Sequence, residues 1–195
     1  MAATVWLVRH ASTAWSGRRW CGSTDLPLTA AGRAEAERLA MRLAPILPAD
    51  VELVSSPTRR ATETATTIAR VVGTAYLIDP ALREVDFGRA EGLTWQQLEQ
   101  HLPEVAEALA AGGALIDWPG GESAADVRAR VAAIWSGLDD IAGPIVMVIH
   151  GGLIRGLIAH AIPSRSDAAM VPPASATAFH HDGAGWSFAG VRLDA

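Results

Sequence analysis

Short apolar runs alternate with stretches of helical periodicity along most of this chain, and this alternation limits the fold more than any other sequence feature. Runs of three to five residues rich in apolar side chains, bounded by polar or turn residues, are typical of buried strands. The predicted strands are Val5–Val8, Val51–Val54, Tyr76–Ile78 and Ile145–Ile149. Strands that alternate with helices predict an α/β fold layered on one sheet.

The segments between these strands carry signals for helix starts and ends. Thr29 can cap a helix whose apolar face runs to Leu47, and Pro48 is expected to stop it. In the following segment Ser56 is the predicted N-cap, with Pro57 at the first helical position. Further signals predict a helix end at Gly73, a capping box of Thr94 with Gln97, a helix from Ser123 to about Leu138 and a short helix from Leu153.

The last part of the chain has the pattern of a hairpin. The alternating stretches Thr177–His180 and Trp186–Val191 flank Asp182-Gly183, a dipeptide typical of tight turns. Because adjacent residues of a strand point to opposite faces, His180 and His181 are not expected to share a metal ion. The 195-residue chain shows no internal repeat, low-complexity tract or linker, so residues 1–195 are predicted to form a single domain.

Composition excludes several classes of protein. The net charge is −5 and no basic cluster is visible, so nucleic acid is not an expected partner. The one cysteine, Cys21, rules out an intrachain disulfide and a Cys-rich metal motif. A signal peptide pattern is absent and no apolar run approaches the roughly 20 residues needed to cross a bilayer. We therefore expect no membrane partner and a cytoplasmic location.

Residues able to bind and transfer phosphate follow the predicted strands. Arg9 and His10 come directly after the first strand, and His150 after the fourth. Arg60 lies in the first turn of the helix after Val51–Val54, while Glu84 lies in the loop after the third strand. Because ligands of such sheets bind beyond the carboxyl ends of parallel strands, we expect these five side chains to meet.

These five residues, of three types, together suit metal-free phosphoryl transfer. Arginine binds phosphate through bidentate, charge-assisted hydrogen bonds. A neutral imidazole can attack phosphorus through one ring nitrogen while the other donates to a carbonyl. A carboxyl group can serve as general acid beside a bound anion. Taken singly, each residue also fits an ordinary structural role, so the prediction rests on their coincidence at four strand ends.

Four segments of the chain resemble the histidine phosphatase superfamily, in its phosphoglycerate-mutase-like branch. They read "LVRHAST", "SSPTRRATETA", "EVDFGRAEG" and "VIHGGLIR", and they occur in family order between about residues 4 and 160. The segment "GSTDLPLTAAGRAEAERLA" is similar to the family between its first two motifs. The resemblance implies three layers, with a mostly parallel central sheet and helices on both faces.

The resemblance also implies roles for individual residues. His10 would be the nucleophile that becomes phosphohistidine, and Glu84 the acid that protonates the leaving alcohol and later assists water. Arg9, Arg60 and His150 would bind the phosphoryl oxygens and stabilise charge during transfer. The further substrate-binding residues implied are Ser16, Gly22, Ser23 and Gly151. No metal and no other cofactor is expected.

Three positions depart from the family pattern. Ala11 stands where glycine is usual, which puts the conformation of this loop in question. Ser16 stands where asparagine often assists phosphate binding, and its hydroxyl can still donate over a shorter reach. Ala90 occupies a position that is often aromatic, in a stretch expected to shape the pocket.

The implied reaction is hydrolysis of a small phosphorylated metabolite. The chain is short between Glu84 and the "WPGGES" loop, whereas mutases of the family tend to have extra covering segments. The two motifs "EVDFGRAEG" and "WPGGES" resemble α-ribazole phosphatases and broad small-molecule phosphatases. Phosphoglycerate-mutase-type transfer and a non-catalytic phospholigand-binding protein stay open as alternatives. A metal-dependent hydrolase is disfavoured because no Asp/His cluster has ligand spacing. The oligomeric state is not fixed, and a homodimer stays open.

The tryptophans near the expected pocket allow two interpretations. Trp15, Trp20, Trp95 and Trp118 lie in or near the loops concerned. Each could stack on a substrate ring, but packing is the interpretation favoured for any one of them.

Overall fold

A mixed sheet forms the centre of the computed structural model, which describes residues 3–113, 115–139, 143–162, 171–181 and 185–195. The strands are β1 (Ala3–Arg9), β2 (Glu52–Ser55), β3 (Leu77–Ile78), β4 (Ile145–Ile149), β5 (Ser175–His181) and β6 (Trp186–Asp194). The α-helices are α1 (Ala30–Leu43), α2 (Arg59–Val72), α3 (Trp95–His101), α4 (Pro103–Ala110), α5 (Ala124–Asp139) and α6 (Gly151–Ala161). Two short 3₁₀ turns, Pro80–Leu82 and Gly88–Ala90, lie between β3 and α3.

The strand order is β3-β2-β4-β1-β5-β6. The first four strands in this order pair in parallel, and β5 and β6 add an antiparallel hairpin at the other edge. The hairpin prediction is thus confirmed, although its predicted turn, Asp182-Gly183, lies outside the described residues. The sheet is mostly parallel, as the family resemblance implied.

Alternate side chains of the central strands pack into two separate hydrophobic cores, one on each face of the sheet. Val5 and Leu7 of β1 pack with residues of α3 to α6 on one face. Trp6 and Val8 pack with α1 and α2 on the other face, where Leu39 is fully buried. Because the side chains of a strand alternate between faces, helices on both sides are needed to bury these runs. The result is the expected three-layer α/β architecture.

Several helix ends confirm the sequence signals. Thr29 caps α1 by accepting a hydrogen bond from the Gly32 N–H, and Gly73 ends α2 with φ +85°. Thr94 and Gln97 form the predicted capping box of α3. No helix among the described residues has both the length and the apolar character that a membrane span requires.

Other predicted helix boundaries were wrong. α1 ends at Leu43 rather than Leu47, so the helix stops before it reaches Pro48, whose ring would exclude a helical hydrogen bond to the Ala44 carbonyl. The chain leaves the helix in a turn in which the Leu43 carbonyl accepts from the Ile46 and Leu47 N–H groups. α6 begins at Gly151, before the predicted Leu153, and so reaches back to the end of β4.

The predicted N-cap of α2 was also wrong. α2 begins at Arg59 with Thr58 as N-cap, two residues after Ser56. The Ser56 hydroxyl lies 2.7 Å from Nε2 of His150 and therefore belongs to the site rather than to a helix start.

Candidate active site

Two buried histidines meet where β1 and β4 end. The two strands are parallel neighbours with Arg9 opposite Ile149, so the next residue of each chain segment, His10 or His150, leaves the same edge of the sheet. The His10 N–H donates to the Ile149 carbonyl at 2.9 Å. The imidazole centroids are 5.1 Å apart with an interplanar angle of 61°. The two side chains are 5% and 0% exposed, so both rings are shielded from bulk water.

The surroundings of the His10 ring keep it neutral and fix its tautomer. Its Nδ1 lies 2.8 Å from the Ala11 carbonyl oxygen, and a carbonyl only accepts, so the ring proton sits on Nδ1. The lone pair is therefore on Nε2. Burial, together with the guanidinium groups of Arg60 and Arg9, holds the pKa of His10 well below its usual value of 6.5. The Nε2 atom is thus available to attack at neutral pH.

Arg60 is fully buried at the second residue of α2, held by three carbonyl oxygens. Its Nη1 donates to the Thr24 carbonyl at 2.8 Å, and its Nη2 donates to those of Cys21 and Gly22 at 3.2 and 2.9 Å. The Arg60 Nε atom is buried with no hydrogen-bond partner within the described part of the chain. The positive charge of Arg60 is thereby fixed close to His10, and its Nε–H stays free of any described partner.

The segment that holds Arg60 is itself held by Glu91. The Glu91 carboxylate accepts from the Gly22 and Thr24 N–H groups at 2.8 and 3.0 Å. Both backbone groups of Gly22 are therefore engaged, and a Cβ at Gly22 would lie 2.6 Å from the Val85 carbonyl oxygen. Ser23, which lies between Gly22 and Thr24 in the chain, is exposed. The substrate-binding roles of Gly22 and Ser23 stay predictions.

Arg9 and His150 supply the remaining nitrogen atoms of the site. Arg9 Nη1 donates to the Val171 carbonyl, and its Nε is a buried donor without a partner among the described residues. Burial lowers the pKa of Arg9, while the neighbouring Glu84 carboxylate opposes this shift. His150 Nε2 bonds with the Ser56 hydroxyl, and its buried Nδ1 has no described partner. Burial, then His10 and Arg60, lower the pKa of His150 well below 6.5.

Glu84 is placed by the first turn of α6. Its Oε2 accepts from the Gly152 N–H and its Oε1 from the Leu153 N–H, both at 3.0 Å. A Cβ at Gly152 would lie 2.6 Å from Glu84 Oε1, so any larger residue there would have to displace the Glu84 carboxyl group. Gly151 similarly lets α6 approach the Arg9 guanidinium, where a Cβ would lie 3.3 Å from Cζ. The "HGG" sequence thus lets α6 lie against both the Glu84 carboxyl group and the Arg9 guanidinium.

The three departures from the family pattern are accommodated. Ala11 is buried, its φ is not positive, and its N–H donates to the Thr64 hydroxyl, so the methyl group causes no backbone strain. The Ser16 hydroxyl accepts from the Thr13 N–H at 2.9 Å, and its contact with phosphate stays a prediction. Ala90 is fully buried within the core that includes α3 to α6.

Packing accounts for two of the four tryptophans. Trp20 and Trp118 form an aromatic cluster with Phe87, with ring centroids 4.7 to 5.3 Å apart. Trp95 is 44% exposed and donates to Glu99, while the Trp15 ring lies beside Gly92.

All five predicted catalytic residues thus lie around one strand edge, linked by direct contacts or by electrostatic effects on one another. Three buried side-chain nitrogens, Arg9 Nε, Arg60 Nε and His150 Nδ1, have no hydrogen-bond partner among the described residues. The two arginine nitrogens are donors, and His150 Nδ1 is a donor when the ring proton is on that atom. A tetrahedral anion with several oxygens suits such a set. In the described ranges no group of three or more His, Cys, Asp or Glu side chains is placed to hold a metal ion.

Sequence reasoning missed two supporting residues. Ser56 was interpreted as a helix cap, although its hydroxyl contacts His150. Glu91 was quoted within "EVDFGRAEG" without a role, although it fixes the segment around Arg60. The motif contains two glutamates, Glu84 and Glu91, and the second glutamate was the sequence signal for a further functional carboxylate.

Comparisons with known proteins agree with this geometry. A family model of the histidine phosphatase superfamily (branch 1) matches residues 5–194. The chain is 34% identical over 191 residues to phosphoglycerate mutase-like protein 4 of Arabidopsis thaliana, covering 95% of this chain and 83% of that protein. It is 34% identical over 172 residues to glucosyl-3-phosphoglycerate phosphatase of Mycobacterium tuberculosis, covering 78% and 72%. A solved structure described as mycobacterial hydrolase 1 matches all of both chains with a TM-score of 0.86 at 29% identity.

Proposed function

Because this chain belongs to the histidine phosphatase superfamily, we propose that it is a metal-independent phosphatase of small phosphomonoesters that works through a phosphohistidine. One observation carries the proposal: a neutral His10, with its lone pair on Nε2, lies beside the buried Arg9 and Arg60 Nε donors and the His150 ring, and neither Nε donor has a partner among the described residues. A phosphoryl group can satisfy those donors while it is attacked by the imidazole.

The first step transfers the phosphoryl group to the enzyme. The His10 Nε2 lone pair attacks phosphorus, a P–N bond forms, and the P–O bond to the substrate alcohol breaks. Arg9, Arg60 and His150 bind the phosphoryl oxygens, where charge is spread in the transition state. The Glu84 carboxyl group gives its proton to the departing oxygen, which leaves as a neutral alcohol.

The second step returns the enzyme to its starting state. The Glu84 carboxylate takes a proton from a water molecule as that water attacks phosphorus. The P–N bond breaks, its electron pair returns to His10 Nε2, and orthophosphate leaves. Glu84 is then protonated again, so one water is consumed for each ester hydrolysed. The Nδ1 bond to the Ala11 carbonyl supports the positive charge that the ring carries while it is phosphorylated.

The substrate class is a small phosphorylated metabolite. The relative named a glucosyl-3-phosphoglycerate phosphatase supports a sugar or glycerate phosphate, and the motif resemblance supports α-ribazole phosphate. The relative named phosphoglycerate mutase-like supports transfer between two hydroxyls as a second candidate. We further propose that residues 1–195 act as one catalytic domain. A cytoplasmic location and a homodimer stay predictions.

The test is hydrolysis of p-nitrophenyl phosphate by the purified protein in EDTA, beside His10→Ala. The proposal predicts turnover that EDTA does not change and that the variant lacks. Release of orthophosphate from a panel of sugar, glycerate and α-ribazole phosphates then ranks substrates. Conversion of 3-phosphoglycerate to 2-phosphoglycerate without orthophosphate release would support the mutase instead. Binding of phosphate without turnover of any ester would contradict the phosphatase proposal and favour a binding protein.

A further inference from the structure

An ion pair lies against the segment that carries Glu84. Between the 3₁₀ turns Pro80–Leu82 and Gly88–Ala90 this segment has no regular secondary structure, so the backbone on either side of Glu84 is not held by a helix or a strand ladder of its own. Arg130 of α5 pairs with Glu122 through two bonds, Nε to Oε1 at 3.1 Å and Nη2 to Oε2 at 2.7 Å. The two side chains are only 19% and 24% exposed. This geometry is bidentate and mostly buried, unlike an ordinary surface ion pair.

The ion pair contacts the backbone on both sides of the acid. Before Glu84, Arg130 Nη1 donates to the carbonyls of Ala81 and Arg83, at 3.1 and 2.6 Å. After it, Glu122 Oε2 accepts from the Asp86 N–H at 2.8 Å, and the Glu122 N–H donates to the Asp86 carbonyl at 3.0 Å. Four hydrogen bonds thus hold the backbone at Ala81, Arg83 and Asp86, on both sides of Glu84.

Glycines bring the "WPGGES" loop close enough for these contacts. A Cβ at Gly121 would lie 2.2 Å from the Asp86 carbonyl oxygen, and a Cβ at Gly88 would lie 2.3 Å from the Gly121 nitrogen. The Arg89 N–H also donates to the Pro119 carbonyl at 2.8 Å. The backbone of residues 119–121 therefore packs directly against that of residues 86–89. This packing brings Glu122 within reach of the segment that carries Glu84.

We propose that the Arg130–Glu122 ion pair positions the backbone that carries the general acid, and that it aligns Glu84 with the leaving oxygen together with the N–H groups of α6. The inference rests on the proposed function, because it needs a leaving group to protonate. Neither residue is one of the five at the strand edge, so both act through Glu84. Arg130 also helps lower the pKa of His150, which agrees with its closeness to the site.

The test compares substrates whose leaving groups need different help. A nitrophenolate leaves readily without protonation, whereas an alkoxide needs a proton from the general acid. We expect Arg130→Met and Glu122→Gln to lower kcat/KM for an alkyl phosphate such as glycerol 2-phosphate about 10- to 100-fold, in line with a misplaced acid. For p-nitrophenyl phosphate we expect a loss of less than about threefold. Glu84→Gln gives the reference for full loss of the acid.

For each variant, the readout is kcat/KM for glycerol 2-phosphate divided by kcat/KM for p-nitrophenyl phosphate. Partial unfolding lowers both values equally, so it leaves this ratio unchanged. Arg70→Met is the matched control, since it breaks the exposed Arg70–Glu37 pair, and its ratio should equal that of the unaltered protein.

Each outcome is decisive for the inference. A ratio that falls towards that of Glu84→Gln in both variants supports it. Equal losses on the two substrates, or no loss on either, would overturn it, since the pair would then be structural only. If the unaltered protein hydrolyses neither ester nor any of a wider panel, the proposed function itself fails, which is a different result.

Discussion

Replacing Glu91 by glutamine tests how Arg60, the proposed phosphate-binding arginine, is held. The carboxylate accepts from the Gly22 and Thr24 N–H groups, whose neighbouring carbonyls bind Arg60. An amide of the same shape has only one acceptor oxygen, so one N–H loses its partner and faces an NH₂ group. A hydrogen bond to a charged group contributes about 1.5–3 kcal/mol. We therefore expect about 2 kcal/mol less stability, a fall in Tm of roughly 4–8 °C at this chain length.

Binding of phosphate should weaken as well. If the shifted segment releases one of the three carbonyl contacts of Arg60, about 1.4 kcal/mol of binding energy corresponds to a tenfold change. The inhibition constant for orthophosphate should rise about tenfold, and kcat/KM should fall by a similar factor for aryl and alkyl phosphates alike. This uniform loss distinguishes Glu91, which acts through Arg60, from residues that act through Glu84.

The assay is product inhibition by orthophosphate, with thermal unfolding measured on the same samples. Glu99→Gln is the matched control, because it changes one carboxylate that accepts from an N–H, that of Trp95, away from the strand edge. The control should leave the inhibition constant unchanged. An inhibition constant and a Tm for Glu91→Gln equal to those of the unaltered protein would refute the reasoning.

Three further results are expected. Ser56→Ala removes the hydroxyl 2.7 Å from His150 Nε2 and should lower kcat about tenfold in steady-state assays, while an unchanged kcat would contradict that contact's role. Gly152→Ala places a methyl group against Glu84 and should lower kcat/KM for alkyl phosphates far more than for p-nitrophenyl phosphate, with equal losses arguing against displacement of the acid. His10 and His150 stay neutral when folded but bind protons below pH 6.5 when unfolded, so urea denaturation should show stability falling as pH drops below about 6.5; no such fall would contradict the lowered pKa values.

The convergence of the site could be predicted because it follows from local patterns. Arg9 and His10 come directly after one apolar run and His150 after another, and parallel strands present their carboxyl ends at the same edge. Thr29 and Gly73 mark helix ends through their own backbone and side-chain chemistry. These signals lie within a few residues of the feature they predict.

The supporting contacts could not be predicted because they join distant parts of the chain. Glu91 bonds to Gly22 across 69 residues, and Arg130 bonds to Ala81 across 49, through backbone groups that every residue has. No spacing or periodicity identifies which carbonyl or N–H a side chain will reach. Ser56 misled for a related reason, since a hydroxyl before proline suits a helix cap as well as it suits a bond to His150.

The most direct test of the account is to trap the phosphoenzyme. Rapid acid-free quenching after mixing with a ³²P-labelled ester, followed by mass spectrometry, locates any covalent phosphate. The account predicts phosphate on His10, attached at Nε2, labile in acid and stable in base, and absent from His10→Ala. Turnover without a labelled protein, or label on another residue, would contradict the central claim that His10 is the nucleophile.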